Sequence, residues 1–338
     1  MDSGTTQPRS PKVVIALQPA SAAANTGGAA QWLGEGVREV IRDAEVTIAP
    51  LADGGAGTSE LFEGERITLP TTDAAGRLTE ATYTFDAASK TAFIDVAAAS
   101  GTPAQTDKPV LLTGDTYGTG VLIADAQTRG AETIVLALGG CATADGGAGI
   151  LVALGANPLD ARGYQLPQGG GKLEQIADLD TAKVNIPAGA VEWVLLTGAD
   201  NPTGGHVPEG DLEVIDRGLS KLCEVAGIDP ASPGIAAAGG VPIGITWLST
   251  LLHGDASHVR IVPGAQAVAE ASGLAAALAD ASLVITSGAG VDAVAELASA
   301  LNPGATVTTV PLSQSPDQLR QTGREAAVRY LSTSTVQG

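Results

Sequence analysis

The hexapeptide Ala-Asp-Gly-Gly-Ala-Gly occurs twice in this chain, at residues 52–57 and 144–149. Each copy follows an apolar run, Val46 to Leu51 in one case and Ile134 to Leu138 just upstream in the other, so each reads as buried strand, glycine turn and helix. Glycines let the backbone come close to a ligand, and the N–H groups of a helix start face negative charge, which suits a phosphate or a carboxylate. An aspartate in such a turn can hold a metal or accept a hydroxyl proton, and it can equally cap the helix that follows. For Asp53 and Asp145 the residues alone leave both roles open. Strand carboxyl ends are where open α/β sheets hold ligands, so the two carboxylates are expected to face one cleft. A third glycine-rich turn, Gly114-Asp-Thr-Tyr-Gly-Thr-Gly120, opens a further helix, and Asp200 precedes Asn201-Pro202, a setting that also suits an Asx turn.

Other reactive side chains read more plainly. Cys141 is a small buried residue, and Lys172, after Gly169 to Gly171, is a solvated loop lysine. His206, His253 and His258 lack the paired spacing of a metal site. No Gly-x-x-x-x-Gly-Lys-Ser/Thr phosphate loop is present.

Composition bounds the rest. With 338 residues and 44% hydrophobic content, the chain can bury a large core and is long enough for two domains. A net charge of −19 repels nucleic acid and anionic membranes. Two cysteines, Cys141 and Cys223, without metal spacing fit a reducing compartment, and the polar residues 1–11 read as a flexible N-terminus on a cytoplasmic protein. The most apolar long window, Ile235 to Leu252, is broken by Gly239, Gly240, Pro242 and Gly244, which favours a buried loop and helix over a membrane span.

The elements that must carry these turns follow from periodicity. Val13 to Leu17, a helix over 27–44 and a strand over Glu45 to Leu51 make a parallel β-α-β opening. After Gly64 the texture changes to three alternating strand-like runs, Arg66 to Pro70, Thr79 to Phe85 and Thr91 to Val96, read as an antiparallel meander. Further strands are expected at Glu192 to Leu196, Ser282 to Thr286 and Thr306 to Val310, with helices over 211–225 and 317–331. The class is α/β: a Rossmann-like parallel-sheet domain from both chain ends, residues 12–66 and 240–331, with an α/β domain inserted at 67–239.

Five segments in this order and spacing resemble the bacterial-type glycerate kinase family. They are Pro50-Leu-Ala-Asp-Gly-Gly-Ala-Gly-Thr58, Tyr117-Gly-Thr-Gly120, Leu138-Gly-Gly-Cys-Ala-Thr-Ala-Asp-Gly-Gly147, Ala199-Asp-Asn-Pro202 and Leu283-Val-Ile-Thr286. The resemblance runs from about Lys12 to Leu331. It implies two α/β domains and transfer of the ATP γ-phosphate to glycerate with Mg²⁺, the partners being a nucleotide and a small hydroxy acid. It implies catalytic roles for Asp53 and Asp145 and a Mg²⁺ held by Asp145 and Asp200. It further implies a cradle for phosphate or carboxylate made of Gly54, Gly55, Gly57, Thr58, Gly118, Thr119, Gly139, Gly140, Cys141, Thr143 and Asp200. The oligomeric state is left open.

The chain also departs from the family pattern. Gln18 and Ser21 stand where that pattern has an acid and a lysine, Ala56 replaces a glutamate, Cys141 a serine and Gly198 an aspartate. After Thr286 the chain reads Ser287-Gly-Ala-Gly-Val-Asp292, without the family's glutamate and arginine, and one β-α unit before the last strand is missing. Phosphoryl transfer depends on cations against the phosphate oxygens. Two expectations therefore stand: a glycerate kinase, weakened, or a degenerate member that binds a metabolite or regulates without turnover.

Overall fold

The computed structural model describes residues 10–17, 26–49, 51–104, 110–198, 209–287, 293–311 and 315–334. In chain order the elements are β1 (Lys12–Leu17), α1 (Thr26–Val40), β2 (Glu45–Ile48), β3 (Glu65–Thr72), β4 (Leu78–Asp86), β5 (Thr91–Asp95), α2 (Ala97–Ser100) and α3 (Tyr117–Thr128). Next come β6 (Thr133–Ala137), α4 (Ala148–Ala153), β7 (Asn157–Asp160), β8 (Ile176–Asp180), α5 (Ile186–Gly189), β9 (Glu192–Thr197), α6 (Glu209–Ala226) and α7 (Ala237–His253). The chain continues with β10 (Val259–Pro263), α8 (Gly264–Ala271), α9 (Leu274–Ala279), β11 (Leu283–Ser287), α10 (Ala293–Leu301), β12 (Thr306–Thr309) and α11 (Pro316–Ser334). It forms two compact α/β units, residues 1–52 with 265–338, and residues 53–264.

The first unit has a four-stranded parallel sheet in the order β12-β11-β1-β2, with Val13 opposite Leu283 and Ile15 opposite both Ile285 and Ile48. Every residue of β11 is buried, as is β1 after Lys12, which is why both read as unbroken β-branched and apolar runs. Leu33 and Val37 of α1 and Leu319 and Ala326 of α11 close the core against Ile15 and Ile285.

The second unit carries a six-stranded sheet, β10-β9-β6-β5-β4-β3. Its first four strands run parallel, and β4 and β3 complete it as an antiparallel ribbon. Trp193, Ile134, Leu136 and Ile94 from the sheet pack with Leu122, Ile123 and Ile150 from the helices into one core. Between Gly155 and Pro187, a stretch rich in Pro, Gly and Asp, β7 and β8 pair antiparallel. Residues 264–279 form two helices, α8 and α9, because Gly273 takes φ 74° between them.

The unit boundaries lie at 52/53 and 264/265, not at the expected 66/67 and 239/240. Long-range packing decides this: β10 pairs with β9, and Val241, Ile243, Ile245 and Leu248 of α7 enter the core of the six-stranded unit. Among the described residues no helix is long and apolar enough to cross a membrane.

Candidate functional site

The parallel strands of the second unit end together, with Asp95 opposite Ala137 and Pro263 opposite Thr197. Leu138 N–H donates to the Leu196 carbonyl at 3.0 Å, carrying the ladder one step past the sheet. Over this edge lies the first acidic glycine loop, residues 53–59. Gly139 N–H donates to the Gly54 carbonyl at 2.8 Å, so the loop after β6 is bonded to it directly. A Cβ on Gly139 would sit 2.8 Å from the Gly55 Cα, closer than any side chain tolerates. Glycine is required here by the approach of two backbones.

Asp95 holds the far end of the same loop. Its Oδ2 accepts Gly57 N–H at 2.9 Å and the Ser59 hydroxyl at 3.0 Å, and its Oδ1 accepts Ser59 N–H at 2.9 Å. Burial pushes the Asp95 carboxyl above the ordinary carboxylate range, against the pull of these donors. Asp95 does not stand out in the sequence, because Thr91 to Val96 reads as part of an antiparallel meander. β5 is antiparallel to β4 yet parallel to β6, which puts its carboxyl end at the ligand-holding edge. The available signal was an acidic residue closing an apolar strand, the same one that marked Asp53.

The two aspartates of the repeated hexapeptide part company. Asp53 is half-buried, and its Oδ1 accepts Gly55 N–H at a long 3.2 Å. Asp145 is fully buried. Its Oδ2 accepts Thr116 N–H at 2.8 Å, the Thr116 hydroxyl at 2.9 Å and Gly149 N–H at 2.9 Å, while its Oδ1 accepts Gly147 N–H at 3.0 Å. This corrects the expectation that both carboxylates face one ligand: Asp145 is spent on tying α3 to the start of α4. Burial raises its pKa, and the donors oppose that shift. The loop is also anchored by Gly146 N–H on the Gly239 carbonyl, 2.9 Å, and by Gly244 N–H on the Gly146 carbonyl, 3.1 Å.

The remaining expected residues divide in the same way. Gly55, Gly57 and Gly139 are half-buried and Gly140 is exposed, so their backbones reach the surface at the strand ends. Gly54 is buried beneath them. Thr58 is buried and closes its own turn on the Gly55 carbonyl at 2.6 Å. Thr119 is buried with its hydroxyl 2.8 Å from that of Ser100, and the Gly118 carbonyl accepts the Thr71 hydroxyl at 3.1 Å. Thr143 and Cys141 are buried against each other, with 3.6 Å from Sγ to Oγ1. These groups serve as framework beside the glycines that reach the surface. Asp200 lies outside the described residues, and so do Gln18 and Ser21.

As for a metal, Asp145 does not fit the role of ligand, since four donors already occupy its carboxylate. Asp53 fits it better, being partly open with one long hydrogen bond. Among the described residues no group of three or more His, Cys, Asp or Glu is placed to hold a metal ion. His253 and His258 stack on one another at 3.8 Å, and His258 Nδ1 lies 2.5 Å from Glu192 Oε1, far from metal-ligand geometry.

Burial also pushes the Cys141 thiol up to about 11 and raises that of Cys223. Both cysteines are therefore expected to resist a disulfide-exchange reagent at pH 8 in the native protein and to react after denaturation. One thiol reacting within seconds in the folded protein would contradict this placement.

Comparison with known proteins bears on the whole chain. The model of the glycerate kinase family matches residues 13–300. A glycerate kinase of Halalkalibacterium halodurans is 33% identical over 288 residues, covering 78% of this chain and 73% of that protein. A glycerate 2-kinase of Escherichia coli is 32% identical over 307 residues, covering 83% and 77%. A Salmonella typhimurium LT2 crystal structure named for glycerate kinase 2 superposes with a TM-score of 0.71 at 28% identity, over 97% of this chain and all of that one. With its parallel sheets, its glycine loops at the strand ends and this extent of likeness, the chain belongs to the glycerate kinase family.

Proposed function

We propose that this protein transfers the γ-phosphate of ATP to a hydroxyl of glycerate in the presence of Mg²⁺. The observation that carries the reading is the docking of residues 53–59 on the carboxyl ends of four parallel strands, with the half-open Asp53 carboxylate at its head. Asp53 is positioned to hold the metal or to take the hydroxyl proton. The half-buried backbones of Gly55, Gly57 and Gly139 and the exposed backbone of Gly140 supply close approach for phosphate or carboxylate oxygens. Asp95 and Asp145 do not meet the reactants in this scheme; they fix the two glycine loops from below. Magnesium, when bound, would neutralise charge on the phosphate oxygens.

One observation favours a second reading, ligand binding without turnover. Residues 51–60, 95–104, 114–120 and 136–149 contain no Lys or Arg, and removal of one preorganised donor typically costs about 10²- to 10³-fold in rate. We therefore expect glycerate-dependent ADP release below the usual kinase range of about 1–100 s⁻¹. A coupled ADP-release assay with ATP, Mg²⁺ and glycerate, run beside a thermal-shift titration of each ligand, separates the readings. Ligand-induced stabilisation without ADP release would establish the binding role, and no response to any of them would overturn both.

A further inference from the structure

The second unit contains a cavity of about 270 Å³ that shares no lining residue with 53–59, 95–101 or 138–143. Part of its wall is apolar, from Val152, Leu166 and Leu173, and Asp115 and Gln168 supply polar groups. Asp115 is 5% exposed. Its Oδ2 accepts Gln168 Nε2–H at 2.7 Å and its Oδ1 accepts Tyr117 N–H at 3.1 Å, both from neutral donors. Among the described residues no Lys, Arg or His lines the cavity, and the buried Asp145 carboxylate lies near enough to repel further negative charge. Burial accordingly holds the Asp115 carboxyl above its ordinary range.

A desolvated carboxylate without a counter-charge is costly, and a cation brought to it relieves that cost where an anion or an apolar group would add to it. The volume lies just under the range of about 300–1,000 Å³ that drug-sized ligands occupy, so the occupant is small. We propose that this cavity binds a small organic ammonium or amidinium compound, its cationic head against Asp115 and its apolar body against Val152, Leu166 and Leu173. Ala148 and Gly149 of the second hexapeptide form part of the wall, but residues 53–59 and 138–143 do not, so the amine is expected to bind whether or not the protein phosphorylates glycerate.

The test is calorimetric titration of the full chain with three probes of similar shape: 2-phenylethylamine, 2-phenylethanol and 3-phenylpropionate. A hydrogen bond to a charged group contributes about 1.5–3 kcal/mol, so the amine should bind at least about tenfold tighter than the alcohol, and the carboxylate should not bind. Asp115→Asn should weaken the amine at least about tenfold by the same reasoning. Val152→Phe, which fills the cavity and leaves Asp115 in place, should abolish its binding. Circular dichroism checks that each variant is folded, and should either fail to fold, the three-probe comparison on the unaltered protein decides. No amine binding at millimolar concentration, equal affinity for the three probes, or amine binding untouched by both substitutions would overturn the proposal.

Discussion

Asp145→Ala is expected to destabilise the protein by about 3 kcal/mol or more, the largest stability effect of any substitution in the candidate site. Its carboxylate is buried and accepts three N–H groups and one hydroxyl. Removing it strands donors from Thr116, Gly147 and Gly149 where water cannot replace it, and each buried unsatisfied group costs about 1–3 kcal/mol. Asp145→Asn should cost less but still measurably, because its one carbonyl oxygen can serve the three donors now on Oδ2 while its amide confronts Gly147 N–H. Urea unfolding followed by tryptophan fluorescence reads the effect, since Trp193 and Trp247 both belong to this unit. An Asp145→Ala protein within about 1 kcal/mol of the parent, an ordinary surface-mutation effect or little more, would show that the carboxylate does not organise these turns. A consequence for enzymology is that loss of turnover in an Asp145 variant reports the collapse of a loop and does not identify a catalytic acid.

Gly139→Ala is expected to lower kcat/KM for glycerate by about 100-fold while costing only about 1–3 kcal/mol of stability. The new methyl group would meet the Gly55 Cα at 2.8 Å and the Gly54 carbonyl oxygen at 3.2 Å, both backbone atoms, so relief requires the two loops to separate. Displacement of about 1 Å at a reacting centre is enough for a rate loss of that size. Gly210→Ala is the control, since its added methyl group would have no atom within 4 Å and it lies in the first turn of α6. That change should leave activity intact and alter stability by no more than about 1 kcal/mol. Steady-state kinetics of the two variants, with urea midpoints alongside, check the pair. Gly139→Ala retaining parental kcat/KM would mean that the contact between the loops has no bearing on the site.

The repeated hexapeptide shows how far local sequence carries. Both copies were legible as acidic glycine turns after apolar runs, and the strands they follow lie in the expected class of fold. Their roles were not legible, because identical neighbours surround Asp53 and Asp145. What separates them is Thr116, which is 29 residues from Asp145 and reaches it only through the packing of α3 beside α4. The same cause hid Asp95, whose bonds to Gly57 and Ser59 span 38 and 36 positions. The domain boundaries shifted for a related reason. Nothing within residues 240–264 reveals that β10 pairs with β9, since parallel pairing is decided by partners distant in sequence. By contrast, a shared parallel sheet for β1 and β11 was legible from two runs that are apolar on both faces, a pattern that a covered parallel sheet demands, while their direct pairing was not.

In the proposed reaction Asp53 meets the reactants while Asp145, in the same hexapeptide, does not. The most direct measurement is glycerate-dependent ADP release by the parent and by Asp53→Asn, with the melting temperature of each. Positioned acid-base groups contribute about 10²- to 10⁴-fold, so turnover should fall at least about 100-fold. The melting temperature should move by no more than a few degrees, about the equivalent of 1 kcal/mol, because Asp53 makes one long hydrogen bond among the described residues. Asp53→Asn with parental turnover, or a parent that releases no ADP with ATP, Mg²⁺ and glycerate, would contradict this role for Asp53.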